Sequence, residues 1–167
     1  MTLLSVEGGA AHVVEDDAWT LLPADDVDLA GASVIAPIEA LASARARGPA
    51  RLGVRVEGDA DPDELAAQLD GVSLVVVTIP KFTDGRAYSL ARLLRDKHGY
   101  AGDLRAVGAV LRDQLLYLSR CGFSSFELAA SQRVDDALAA FRDFSVTYQP
   151  AEDHDVPVWR RRAESKS

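Results

Sequence analysis

The residue types best suited to chemistry stand in two short polar runs. The first, Pro80-Lys81-Phe82-Thr83-Asp84-Gly85-Arg86, sets two cations, a hydroxyl and a carboxylate close together. Lys81 and Arg86 suit the binding of an anion, Thr83 and the amides of a following helix start can donate hydrogen bonds, and Asp84 can orient an arginine or act as a base. The same run has a purely structural reading, in which Thr83 or Asp84 caps a helix and Gly85 relaxes the turn. The second run, Gly108-Ala109-Val110-Leu111-Arg112-Asp113-Gln114, offers Arg112, Asp113 and Gln114. Its structural reading is equally concrete: Asp113 is favoured near a helix start by the helix dipole, and Arg112 pairs with it or with Asp84.

Other chemistries find less support. The histidines His12, His98 and His154 fall in a predicted hairpin, at a helix end and in the tail, without metal-ligand spacing or a nucleophile partner. The single cysteine, Cys121, reads as a buried structural thiol: a helix C-terminus disfavours thiolate, and no second cysteine can resolve an oxidised one. Neither GxGxxG nor GxxxxGK[ST] occurs, so no standard dinucleotide or nucleoside-triphosphate cofactor is specified. Flavin sites need no such short motif.

From residue 33 onward, short runs rich in valine and isoleucine alternate with amphipathic stretches, which predicts repeated βα units. Strands are expected over 33–38, 51–56, 72–80, 104–110, 123–129 and 145–149. The run 72–79 is almost continuously apolar and should be central. Asp61 and Pro62 signal a helix start, and one-sided apolar stripes follow: Ala87, Leu90, Ala91 and Leu94, then Leu111, Leu115 and Leu118, then Val134, Ala137, Leu138 and Phe141. Before residue 33, the segments 11–14 and 19–22 flank Glu15-Asp16-Asp17 and resemble a short hairpin. The expected fold class is therefore α/β: a mainly parallel sheet flanked by helices, or an incomplete βα barrel, with a short N-terminal hairpin. Either architecture places both polar runs at the carboxyl ends of neighbouring strands, where ligands bind.

The 167 residues suit one domain over 1–150, with the hairpin in about 1–32 and an extended or disordered tail over 151–167. No apolar run is long enough to cross a bilayer, the first residues lack a basic leader, and one cysteine suits a reducing compartment. A cytoplasmic protein is expected, neither exported nor embedded in a membrane. The net charge of −8 argues against a nucleic-acid partner. Its distribution is uneven: residues 1–79 hold 4 basic and 14 acidic side chains, whereas residues 80–122 hold 8 basic and 4 acidic ones. A basic middle between acidic flanks is either a solvated helix face or a surface for anions.

The strings from Lys81 to Arg95, from Gly102 to Gly108, Val110-Leu111-Arg112-Asp113-Gln114-Leu115 and Arg120-Cys121-Gly122-Phe123 occur in an order that is familiar. Together they resemble a bacterial domain-of-unknown-function family commonly encoded beside assimilatory sulfite reductase and often labelled a probable oxidoreductase involved in sulfite reduction. The likeness spans about residues 80–128, and Tyr148-Gln149-Pro150 with Arg160-Arg161-Arg162 also fits. It implies a role in sulfur assimilation, as an accessory protein or an oxidoreductase, with sulfite reductase or another sulfate-assimilation enzyme as partner. It carries over no catalytic residue. The ligand expected at Lys81, Thr83, Asp84, Arg86, Arg112, Asp113 and Gln114 is a small anion, with a non-catalytic docking module as the alternative. Redox turnover would use a borrowed flavin or nicotinamide.

Overall fold

The alternating apolar runs become strands of one eight-stranded sheet in a computed structural model that describes residues 2–23 and 28–142. In chain order the elements are β1 (Thr2–Glu7), β2 (Ala10–Val14), β3 (Trp19–Leu21), β4 (Ser33–Pro37), α1 (Leu41–Ala46), β5 (Arg51–Glu57), α2 (Pro62–Ala66), β6 (Val72–Ile79), α3 (Arg86–Asp96), β7 (Asp103–Gly108), α4 (Leu115–Arg120), β8 (Ser125–Leu128) and α5 (Val134–Ala140). Short 3-10 turns, Ile38–Ala40 and Arg112–Gln114, lead into α1 and α4. The spatial order is β2-β1-β8-β7-β6-β5-β4-β3. Pairing is parallel from β3 through β8 and antiparallel where β1 meets β8 and β2.

Period-two alternation sends every second strand residue to one face, and the helices cover only that face. Val54 and Val56 of β5, Val75, Val77 and Ile79 of β6, and Leu104 and Ala106 of β7 share one core with buried residues of all five helices. The stripe Ala87, Leu90, Ala91 and Leu94 is buried as the sequence predicts, and Arg92 pairs with Asp96 at 3.0 Å on the outer side of α3. Asp61 caps α2, its carboxylate accepting from the amides of Asp63 at 2.9 Å and Glu64 at 3.0 Å. On the other face Ile35, Leu74, Val76 and Val107 form a smaller cluster beneath Trp19.

The N-terminal region corrects one expectation. A hairpin is present, but β1 and β2 make it, turning at Gly8-Gly9, whose φ angles of 57° and 82° suit a two-residue hairpin turn. β3 does not pair with β2. It lies parallel to β4 at the opposite edge of the sheet. The reading failed because residues 11–14 and 19–22 both look like strands, while the partner of the first, Leu3-Leu4-Ser5-Val6, stood just upstream.

That placement dictates the shape. Five residue steps separate Val14 from Trp19 and reach at most about 18 Å. Across a flat sheet of eight strands, the two edges would stand roughly 33 Å apart. The sheet must therefore curl, and residues 15–18 strap its open mouth. The strap meets the helix-free face, because Asp17 pairs there with Arg105 of β7. The result is a half-barrel with helices on its convex side. The strand expected over 145–149 and the tail lie outside the described residues.

Candidate functional site

The loops after β5, β6 and β7 meet at one end of the sheet. Asp84 follows a tight turn in which its amide donates to the Lys81 carbonyl at 2.9 Å. Its carboxylate then accepts three bonds from Arg86: from the backbone amide at 3.2 Å, from Nε at 2.9 Å and from Nη2 at 2.7 Å. Arg86 Nη1 donates to Asp59 at 2.7 Å, so this guanidinium is held between two carboxylates. The hydrogen bonds from Arg86 hold the Asp84 pKa down at about 2, and those from Asp84 raise the Arg86 pKa. Both stay charged near neutrality and neutralise each other. Gly85 occupies the N-cap position of α3, with Asp84 satisfying the Arg86 amide from one residue before it.

The side chain of Gln114 ties the loop after β7 to this one. Gln114 Nε2 donates to the Phe82 carbonyl at 2.8 Å, while its Oε1 accepts from the Leu111 amide at 3.2 Å. Arg112 turns the other way. Its backbone amide donates to Gln132 Oε1 at 3.1 Å and its Nε to the Asp136 carbonyl at 3.2 Å, which attaches it to α5. The two candidate arginines therefore do not converge on one anion. Lys81, Phe82 and Thr83 are exposed at the loop tip, and Asp113 is exposed on the 3-10 turn. Among the described residues, neither the Lys81 ammonium nor the Thr83 hydroxyl has a hydrogen bond or ion pair.

What this end presents outward is aromatic. Phe82 is 60% exposed and Tyr117 of α4 is 59% exposed. The Tyr117 ring packs on Tyr88 of α3, with centroids 5.1 Å apart, and the Tyr88 hydroxyl interacts with Gln114. Burial raises the pKa of Tyr88 and that of the Cys121 thiol, the latter against the pull of Arg92, Tyr117 and Arg120. Cys121 is buried, as expected from its sequence context.

The sequence reading overlooked two features. One is a cleft of about 390 Å³ at the ends of β4 and β5, lined by Glu39, Arg55, Glu57, Asp61 and Glu64 among others. Among the described residues no group of three or more His, Cys, Asp or Glu is arranged to hold a metal ion. The other is Arg105, buried on the concave face. A charge set between Leu104 and Ala106 in a strand of a covered sheet is the signal that marked it.

Residues 53–159 match the model of a family described as bacterial protein of unknown function, DUF934. The chain belongs to this family. The matched stretch takes in every candidate residue from Lys81 to Gln114 and Arg105, and leaves out β1 to β4 and the strap. No curated protein matches the chain. Among the described residues no helix is long and apolar enough to cross a membrane.

Proposed function

We propose that this protein is a cytoplasmic accessory of assimilatory sulfite reduction that acts by docking, through the loops after β6 and β7, onto sulfite reductase or another enzyme of sulfate assimilation. The metabolic setting comes from the resemblance carried by residues 80–128. The docking mode rests on one observation: Phe82 is 60% exposed at the tip of a loop whose backbone is pinned by Gln114. A large exposed aromatic on a fixed backbone has little entropy to lose on binding, which is the profile of an interface anchor. Lys81 beside it, which has no hydrogen bond or ion pair among the described residues, suits an acidic partner surface.

The arginines of this end favour docking over capture of a free anion. Arg86 is already shared between Asp84 and Asp59, and Arg112 is held against α5. An anion entering here would have to displace two carboxylates from Arg86.

The test is co-elution of the purified chain with purified sulfite reductase, followed by titration calorimetry at low and high salt. Phe82→Ala is expected to weaken the complex by about tenfold or more, and Lys81→Glu to weaken it chiefly at low salt. Failure to form a complex at either salt concentration would overturn docking to the reductase. A flavin or nicotinamide absorption band in the purified chain would favour redox turnover instead.

A further inference from the structure

The concave face carries a guanidinium that the docking reading does not use. Arg105 stands in the middle of β7, where its backbone pairs with Val76 of β6 and Ser125 of β8. Its side chain is only 7% exposed. Nη1 and Nη2 grip the Asp17 carboxylate at 2.6 and 3.1 Å, and Nε is buried without a hydrogen-bond partner among the described residues. Leaving a buried donor unsatisfied is costly, and more so when it is charged. Such a group calls for an explanation, and a bound ligand is one.

The same face carries charged and polar groups of both signs beside the apolar cluster of Ile35, Leu74, Val76 and Val107. Register puts Arg55 on the far side of Val76 from Arg105, and Ser5 on the far side of Ser125. Arg55 is exposed and donates through Nε to Thr78 Oγ1 at 3.2 Å. Arg51 stacks on Trp19 with 4.5 Å between its guanidinium carbon and the ring centroid. Asp103, the carboxylate two residues before Arg105, already accepts from the hydroxyls of Ser124 and Ser125. Glu57 and Glu127 also fall on this face by register.

A guanidinium presents two bidentate edges, one formed by its terminal nitrogens and one that includes Nε. Asp17 fills the first. It comes from the strap rather than from the sheet, and its side chain is 34% exposed, so it can leave without breaking a strand pairing. We propose that Arg105 anchors a binding site for a small carboxylate or tetrahedral oxyanion inside the half-barrel, and that Asp17 is the internal carboxylate this anion displaces. The strap is then the cover of the site. This site lies on the inner face, apart from the docking loops, and stands or falls independently of them.

The experiment follows the guanidinium Nε–H signals of the ¹⁵N-labelled full chain while sodium sulfate or sodium acetate replaces chloride at constant ionic strength. Arg105→Lys identifies the Arg105 signal by its loss. A saturable shift of that signal is expected with one of the two anions. Sulfate would indicate a tetrahedral oxyanion and acetate a carboxylate. Asp17→Asn, which keeps the strap length and removes the competing charge, is expected to tighten binding by about tenfold or more. No saturable shift with either anion in Asp17→Asn would overturn the proposal. Equal affinity in wild type and Asp17→Asn would also overturn it, and that comparison holds even if Arg105→Lys does not fold.

Discussion

Arg105 and Asp17, 88 residues apart in sequence, are joined by two hydrogen bonds of 2.6 and 3.1 Å across the mouth of the half-barrel. The pair fixes the strap to the centre of the sheet rather than to either edge. Removing Asp17 leaves a buried guanidinium without its counter-charge. Asp17→Ala is expected to cost about 2–3 kcal/mol, toward the low end for a buried pair because the carboxylate itself is partly exposed. In urea denaturation, Asp17→Ala combined with Arg105→Met should cost less than the sum of the single variants. Strict additivity would show that the pair does not hold the strap.

The carboxyl end of β7 is built around a close approach of backbones. Gly108 has φ of +96°, and a Cβ placed on it would lie 2.6 Å from the Ile79 carbonyl oxygen. That same oxygen accepts the Ala109 amide at 2.8 Å, so it cannot move away without losing a bond. Gly108→Ala is therefore predicted to destabilise by about 2–3 kcal/mol and to lower the melting temperature by roughly 5–10 °C. A melting temperature within a degree of wild type would show that the junction relaxes freely.

Much of this architecture was legible from local pattern. The valine-rich run over β6 marked a buried central strand, and the small and leucine residues of α3 marked its inward face, because alternation and helical period are properties of neighbouring residues. The curl was not legible in the same way. It depends on β3 joining β4 instead of β2, a choice between partners that both look acceptable along the chain. At the site, the sequence placed the two polar runs at one sheet end, and Gln114 does join their loops. That Arg86 would turn to Asp59 and Arg112 to Asp136 depended on where three separate connections came to rest, and no spacing encoded it.

Asp84 gives a pH-dependent signature. Its pKa is held at about 2, below the ordinary 3.8, first by the side-chain hydrogen bonds from Arg86. A carboxylate with a lowered folded-state pKa stabilises the fold above its unfolded value, and that stabilisation is lost as pH falls through the folded value. The stability difference between wild type and Arg86→Gln should thus be complete above about pH 4 and fade toward pH 2. A carboxyl carbon titration by NMR should move the Asp84 midpoint upward in Arg86→Gln. An unchanged midpoint would remove Arg86 as the cause.

Cys121 should be chemically quiet. Burial raises its pKa above the ordinary value, and that effect outweighs the opposing pull of Arg92, Tyr117 and Arg120. Since thiolate is the reactive form, a disulfide reagent at pH 8 should modify the folded chain about 100-fold or more slowly than the urea-unfolded chain. Cys121→Ala should leave partner binding unchanged. Rapid labelling of the folded chain would show that the thiol is accessible after all.

Phe82 and Gln114 separate docking from stability. The Phe82 side chain is largely solvated, so Phe82→Ala should change unfolding free energy by no more than about 0.5 kcal/mol while weakening the reductase complex. Gln114→Ala removes bonds to the Phe82 carbonyl and the Leu111 amide, and should cost about 1–2 kcal/mol. Its effect on binding follows from lost preorganisation: the aromatic ring is still present, but the loop that carries it must be ordered when the partner arrives. The Gln114→Ala complex should therefore form with a less favourable entropy at a similar enthalpy, whereas Phe82→Ala should lose enthalpy as well. Calorimetry on the two variants distinguishes these cases, and identical signatures would mean that Gln114 does not work through the Phe82 loop.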